Sequence, residues 1–125
     1  MNDLFLAKTG TTPDVSFNAS RGLLKLEGRS IPENPEWFYE GLITWIHEYF
    51  RDPKPTTKME VKLEYVNSGT SKYLMEIFRI LNVYYDQGKK VTVVWFYEEE
   101  DEAMYELGMH YQETVKLPIT MSVIY

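Results

Sequence analysis

A short run of hydroxyl-bearing residues stands where a strand pattern changes into a helix pattern. The alternation of residues 58–66 stops at the segment 67–72, which reads Asn-Ser-Gly-Thr-Ser-Lys. A helix N-terminus carries unpaired backbone N–H groups and a partial positive charge, so it suits an anion or a phosphorylated hydroxyl. The same residue types also cap helices, because their side-chain oxygens accept hydrogen bonds from those N–H groups. The spacing therefore leaves two interpretations open, a helix cap and a phosphate or anion site.

A second cluster that could do chemistry is the acidic run Glu98–Glu102. Its carboxylates are the ligands that magnesium and calcium prefer, but the run lacks the spaced ligands and the turn glycine of an EF-hand. Carboxylates at a helix start also stabilise its positive end, and an acidic surface can dock a basic face of a partner protein. All three interpretations stay open. The docking interpretation rests on Glu98, Glu99, Glu100 and Asp101.

The two histidines, His47 and His110, have neither the spacing of metal ligands nor that of a catalytic dyad. We therefore expect both on the solvated surface, and we predict that the chain is not an enzyme and needs no metal ion or other cofactor. Gly69 stands alone, whereas a nucleotide-binding phosphate loop needs several glycines. The alternative from another class is a small metal-dependent hydrolase that uses the acidic run and His110.

Two aromatic residues, Trp37 and Tyr39, flank the apolar stripe of the first predicted helix. Aromatic side chains dominate the binding energy of many protein interfaces, so both are candidate anchors for a partner. The alternative is that they pack under the loop 28–34. The sequence does not decide between these two interpretations.

The composition bounds the class of protein. A chain of 125 residues is long enough for one domain, spanning residues 1–125, with its own hydrophobic core. There are 13 basic and 19 acidic residues, and the formal charge of −6 argues against nucleic acid or an anionic membrane as partner. The chain has no cysteine and no apolar run near the roughly 20 residues that a membrane span needs. We therefore expect a cytoplasmic protein.

Hydrophobic periodicity predicts the elements that position these residues. Residues 1–13 are expected to form a mobile leader. Asn34-Pro35 indicates a helix start, because Asn caps free N–H groups and Pro at the first helical position has none to lose. The expected order is strands at 14–18 and 24–27, a helix from 35 that ends before 53, a strand at 58–66, a helix at about 69–87, a strand at 91–97, a helix opening at 98–102 and a strand at 118–123.

This order, β-β-α-β-α-β-α-β, predicts a two-layer α/β domain. Crossovers between strand, helix and strand imply that the sheet is mixed, with right-handed parallel connections. Several strands alternate polar with apolar residues, so one face of the sheet is expected to be wet. We therefore predict a mixed sheet of about five strands with three helices on its other face.

Several segments, taken together, resemble one known family. They are Thr12-Pro13 with Val15-Ser16-Phe17, Gly28–Asn34, Phe38-Tyr39 with Trp45, Leu63–Ser68 with Lys72, and Trp95–Met104 with Gly108 and Tyr111. The sequence is similar to the SiaC family of bacterial biofilm-regulation phosphoproteins. More broadly it resembles the STAS-like anti-sigma-factor-antagonist domains, whose phosphorylatable serine lies at a strand-to-helix junction.

The resemblance implies a partner-switching regulator in a bacterial signalling pathway. Members of the family are phosphorylated by a dedicated Ser/Thr kinase and dephosphorylated by a PP2C-type phosphatase. The unphosphorylated form binds and activates a diguanylate cyclase, which raises cyclic di-GMP. The alternative at this level is an interaction module that is never phosphorylated.

The residue that the resemblance identifies as the phosphate acceptor is Ser68. The family often has an uninterrupted run of hydroxyl residues here, whereas a glycine follows Ser68 in this chain. Thr70 and Ser71 are therefore alternative acceptors. The expected surroundings of the phosphosite are Asn67, Gly69 and Lys72.

Overall fold

Strands and helices alternate along most of the chain. The computed structural model describes residues 1–124. The strands are β1 (Leu4–Leu6), β2 (Asp14–Asn18), β3 (Leu23–Ser30), β4 (Thr56–Val66), β5 (Lys90–Glu98) and β6 (Ile119–Ile124). The helices are α1 (Pro35–Tyr49), α2 (Ser68–Asp86) and α3 (Glu102–Thr114). Every predicted helix and strand is present, with its bounds shifted by a few residues. None of the helices between residues 1 and 124 combines the length and apolar composition needed to cross a lipid bilayer.

The strands form one mixed sheet in the order β1-β2-β3-β4-β5-β6. β1, β2 and β3 pair antiparallel, whereas β3, β4, β5 and β6 pair parallel. Parallel neighbours need a crossover connection, and α1, α2 and α3 supply these. Because right-handed crossovers that advance in one direction along a sheet place their helices on the same side, the helices cover one face. The predicted two-layer α/β architecture is confirmed.

The predicted leader contains a strand of the sheet. β1 lies within residues 1–13 and pairs with β2, with Leu4 opposite Phe17. The Asp3 Oδ1 also accepts a hydrogen bond from Ala19 N at 2.8 Å. The prediction of a mobile leader is therefore wrong for β1, and the sheet has six strands instead of about five. A strand of 3 residues is too short to show a clear alternation in the sequence.

The two faces of the sheet differ in polarity. In β4, Met59, Val61 and Leu63 are buried under the helices, and the residues between them point to the opposite face. On that open face, Lys25 Nζ lies 3.7 Å from Glu60 Oε2. Such exposed ion pairs add little stability, since solvent screens them. The open face is therefore the wet face that the alternation predicted.

The helices begin in different ways. Pro35 occupies the first helical position of α1 as predicted, but the Asn34 side chain makes no capping hydrogen bond, so its predicted role as a cap is wrong. Asp101 caps α3, because its Oδ1 accepts a hydrogen bond from Met104 N at 3.1 Å. Part of the acidic run thus has a structural role at a helix start.

Replacing Gly108 with alanine should destabilise the domain. A Cβ at this buried position would overlap Cδ1 of Trp95 and would lie 2.6 Å from its Nε1 and 2.7 Å from Met121 Cε. Trp95 is fully buried and its Nε1 donates to Met104 O at 2.9 Å, so the ring has no space to retreat. We expect the free energy of unfolding, measured in urea, to fall by about 1–3 kcal/mol.

Gly41 provides the matched control, because it lies on the exposed side of α1 and a Cβ there would have no neighbouring atom within 4 Å. Gly41→Ala should leave stability unchanged or raise it by up to about 1 kcal/mol. Equal stability of the two alanine variants would contradict the packing argument at Gly108.

Candidate functional site

The side chains of interest gather at one edge of the sheet. β3, β4 and β5 run parallel and end at the same edge, where α1, α2 and α3 begin. We call this region the helix-start edge, formed by residues 30–37, 65–72 and 98–104. It brings together the hydroxyl run, the aromatic residues of α1 and the acidic run, which lie far apart in the sequence.

Ser68 is exposed at the first position of α2. The preceding residue caps the helix: Asn67 Oδ1 accepts a hydrogen bond from Thr70 N at 2.9 Å, and its carbonyl accepts one from Ser71 N at 3.0 Å. Asn67 Nδ2 also donates to Pro32 O at 3.0 Å, which ties the start of α2 to the loop after β3. The capping role therefore belongs to Asn67, and the Ser68 hydroxyl is left at the surface.

The alternative acceptors differ in access. Thr70 is fully buried, and its hydroxyl donates to Ser30 O at 2.9 Å. The structure corrects the prediction of Thr70 as an alternative acceptor, because a kinase cannot reach a buried hydroxyl. Ser71 is partly buried, and its hydroxyl donates to Ser68 O at 2.9 Å. Ser68 is the most exposed of these hydroxyl residues.

Gly69 lies where the start of α2 packs against the start of α1. A Cβ at Gly69 would lie 2.6 Å from Pro35 Cγ and 3.4 Å from Pro35 Cβ. A serine or threonine here would push the two helix starts apart, so the glycine that interrupts the hydroxyl run has a packing reason. The same first turn of α1 carries Trp37, two residues after Pro35.

The two candidate anchors on α1 have opposite environments. Trp37 is 83% exposed, whereas Tyr39 is fully buried. The Tyr39 hydroxyl bonds to Ser30 Oγ, and its ring stacks on Tyr73 with centroids 5.6 Å apart. The prediction of Tyr39 as a surface anchor is wrong, because Tyr39 lies one turn before Leu42 on the buried stripe of α1.

Two exposed apolar side chains at the helix-start edge were missed by the sequence analysis. Tyr65 is 58% exposed and Ile31 is 37% exposed. Alternation in β4 assigns Tyr65 to the buried face with Leu63, but β4 continues past the core at this edge and leaves Tyr65 at the surface. Together with Trp37, these side chains form what we call the apolar rim: Ile31, Trp37 and Tyr65.

The acidic run divides among three parts of the structure. Glu98 ends β5, Glu99 and Glu100 form the turn, and Asp101 caps α3. Asp101 and Ser68 line the same open groove, which has a volume of about 460 Å³. Within residues 1–124, no group of three or more His, Asp or Glu side chains is arranged to hold a metal ion.

Both histidines are exposed, as predicted. His47 lies on α1, and its Nδ1 is 2.7 Å from the Tyr84 hydroxyl. His110 lies near the end of α3, whose acidic start at Glu102 is about 12 Å away along the helix axis. The structure therefore does not bring His110 together with the acidic run.

The helix α3 supports the first turn of α2 through Tyr111. Its hydroxyl donates to Ser71 O at 2.7 Å. Burial raises the pKa of the Tyr111 phenol, so the hydroxyl stays protonated and keeps this hydrogen bond at neutral pH.

The similarity to known proteins extends over nearly the whole chain and is not confined to the helix-start edge. The family described as SiaC family regulatory phosphoprotein matches residues 6–124. An uncharacterised protein of Pseudomonas aeruginosa strain UCBPP-PA14 is 26% identical over 121 residues, which cover 97% of this chain and 96% of that relative. Similarity therefore extends over both proteins.

Solved structures agree with the family match. SiaC of Pseudomonas aeruginosa superposes with a TM-score of 0.93 at 25% identity, covering 99% of this chain and 100% of that one. SiaC in the crystal structure of the diguanylate cyclase SiaD with its activator SiaC superposes with a TM-score of 0.92 at 25% identity, covering 98% of this chain. The broader likeness to STAS-like domains stays a prediction. Because the family match spans nearly all of the sequence, this chain belongs to the SiaC family of regulatory phosphoproteins.

Proposed function

We propose that this chain is a non-enzymatic cytoplasmic regulator whose unphosphorylated form binds and activates a diguanylate cyclase. Phosphorylation of Ser68 then abolishes this binding. Support comes from SiaC of Pseudomonas aeruginosa, which is the activator of the cyclase SiaD and superposes on 98% of this chain. The observation on this chain that carries the proposal is the exposed Ser68 hydroxyl at the start of α2.

Phosphorylation of Ser68 would change the charge of this surface and not the fold. A phosphoserine adds about −1.5 to −2 charges at pH 7. Backbone N–H groups at the helix start and Lys72, four residues on, favour a phosphate there. A partner packed on the hydroxyl would instead bury a dianion without compensation, which costs roughly several kcal/mol. The partner would therefore dissociate while the domain stays folded.

The apolar rim is the surface that the proposal assigns to the cyclase. Trp and Tyr are enriched among the residues that dominate interface energy. Tyr65 lines the same groove as Ser68, and Trp37 follows the Pro35 ring that packs on Gly69. A partner that covers Tyr65 would therefore also cover the groove that holds the Ser68 hydroxyl.

A Ser/Thr kinase and a PP2C-type phosphatase complete the proposed switch. Glu98, Glu99 and Glu100 are exposed at the helix-start edge, so they can attract a basic face of the kinase or of the cyclase. The kinase takes its phosphate from ATP, which is the reason for placing the chain in the cytoplasm.

Incubating the purified chain with magnesium-ATP and a lysate of its own cells should place phosphate on Ser68. The exposed hydroxyl is accessible to a kinase, whereas Thr70 is buried. Phosphopeptide mapping by mass spectrometry measures the outcome. Ser68→Ala is the matched control and should lose the phosphopeptide.

The other outcomes are equally informative. Phosphate on Ser71 would keep the switch and change its acceptor. A chain that stays unmodified while a control substrate is phosphorylated would contradict the switch and favour an interaction module that is never phosphorylated. The Ser68→Ala variant, which cannot be switched off, also serves as bait to recover the cyclase for binding measurements.

A further inference from the structure

Three buried hydroxyl groups meet beneath the helix-start edge. Ser30, Tyr39 and Thr70 each have 0% exposure. Ser30 Oγ lies 2.5 Å from the Tyr39 hydroxyl and 2.8 Å from Thr70 Oγ1. Thr70 Oγ1 also donates to Ser30 O at 2.9 Å. The three side chains come from β3, α1 and α2, so the cluster joins three elements of the helix-start edge.

The direction of these hydrogen bonds follows from counting protons. Each hydroxyl has one proton to donate. The Thr70 proton goes to Ser30 O, so the bond between Thr70 Oγ1 and Ser30 Oγ must use the Ser30 proton. The remaining bond must then use the Tyr39 proton. The chain of donors therefore runs from Tyr39 to Ser30 to Thr70 and ends on the Ser30 carbonyl.

The environment of the cluster keeps this chain complete. Burial raises the pKa of the Tyr39 phenol, an effect larger than the opposing one of the neighbouring Ser30 and Thr70 hydroxyl groups, so the first donor stays protonated at neutral pH. Within residues 1–124, no buried side-chain nitrogen or oxygen lacks a hydrogen-bond partner. The Ser30 carbonyl also accepts a bond from Asn67 N at 3.2 Å, so it holds the residue before Ser68 as well.

We propose that Ser30 and Thr70 are positioning residues, whose hydrogen-bond chain with Tyr39 holds Ser68 and Trp37 in the fixed arrangement that the cyclase recognises. Ser68 lies two residues before Thr70, and Trp37 lies two residues before Tyr39, so the chain links the segments that carry both exposed side chains. The inference rests on the proposed function for the identity of the partner. The rigidity of the helix-start edge is inferred from the hydrogen bonds alone and does not depend on the proposed function.

Rigidity matters here because a partner gains affinity when the surface is already ordered. A loose first turn of α2 would have to be ordered during binding, and that entropy cost reduces affinity. A loose turn would also let Ser68 move relative to Trp37, so that a partner could not contact both at once.

The test compares Thr70→Val with Thr70→Ser. Valine keeps the shape of threonine but removes its hydroxyl, which leaves the buried Ser30 hydroxyl without its acceptor. Serine keeps the hydroxyl and therefore the chain of hydrogen bonds. Thr70→Val should weaken binding of the recovered cyclase about tenfold. It should also speed hydrogen exchange within residues 68–71, at the amides of Thr70 and Ser71 that donate to Asn67. Thr70→Ser should restore wild-type affinity to within about twofold.

Ile77→Val is the matched control for a loss of stability alone. Ile77 is fully buried on the same helix, two turns after Thr70, and is not part of the hydroxyl cluster. Its variant should unfold at lower denaturant concentration but bind the cyclase with wild-type affinity, with no exchange increase confined to residues 68–71.

Two results would overturn the inference. One is wild-type affinity and wild-type exchange in Thr70→Val. The other is equal loss of affinity in Thr70→Val and Ile77→Val, which would make the cluster merely structural. If the wild-type protein binds no cyclase, the proposed function fails. Hydrogen exchange of residues 68–71 alone then decides whether the hydrogen-bond chain orders the helix-start edge.

Discussion

Ser68→Asp and Ser68→Glu should bind the cyclase at least about a hundredfold more weakly than Ser68→Ala, a difference of about 2.8 kcal/mol. The carboxylate stands where the phosphoserine would stand, on the exposed first position of α2. A partner that packs on this position must strip water from the charge, and the cost of burying an unpaired charge exceeds the required difference. Titration calorimetry against the purified cyclase measures the affinities.

The alanine variant should bind as tightly as the unphosphorylated wild type. Asn67, and not Ser68, supplies the side-chain cap of α2, so losing the Ser68 hydroxyl leaves the helix start intact. Ser68→Ala should also keep the free energy of unfolding within about 0.5 kcal/mol of the wild type, as expected for a surface position.

Gln87→Glu is the matched control for charge. It adds one negative charge at the exposed C-terminal end of the same helix, far from the helix-start edge. Its affinity for the cyclase should equal that of the wild type. Equal affinities of Ser68→Ala and Ser68→Asp would show that charge at this residue does not control binding, and the switch would have to lie elsewhere.

The elements around Ser68 were predictable because their patterns are long. The alternation in β4 and the helical repeat in α2 extend over many residues, and the observed bounds, Thr56–Val66 and Ser68–Asp86, lie close to the predicted ones. The junction that holds Ser68 therefore follows from local periodicity. The resemblance then assigned a function to a junction that the pattern alone leaves open.

The buried hydroxyl residues were misjudged although the sequence carries their signal. Thr70 lies four residues before Leu74, and Tyr39 lies three before Leu42, so helical spacing places each on a buried stripe. The hydroxyl of Thr70 suggested a phosphate acceptor, and the aromatic ring of Tyr39 suggested an interface anchor. Burial became possible because Ser30, forty residues before Thr70, satisfies both groups, and no local pattern reveals such a distant partner.

Trp37→Ala should weaken the complex with the cyclase about thirtyfold, or about 2 kcal/mol. The indole is 83% exposed in the free chain, so a partner that covers it buries a large aromatic surface. The same exposure means that the free domain loses almost no packing when the ring is removed. The free energy of unfolding should therefore change by less than about 0.5 kcal/mol, which separates a binding defect from a folding defect.

Phe5→Ala is the control for the loss of an exposed aromatic ring. Phe5 is 61% exposed on β1, at the antiparallel end of the sheet and away from the helix-start edge. Its variant should bind the cyclase with wild-type affinity. If both variants bind alike, the apolar rim is not the interface, and a phosphate on Ser68 would then have to act on a partner that contacts another part of this edge. A selective loss in Trp37→Ala instead places the partner over the start of α1, whose Pro35 packs on Gly69 next to Ser68.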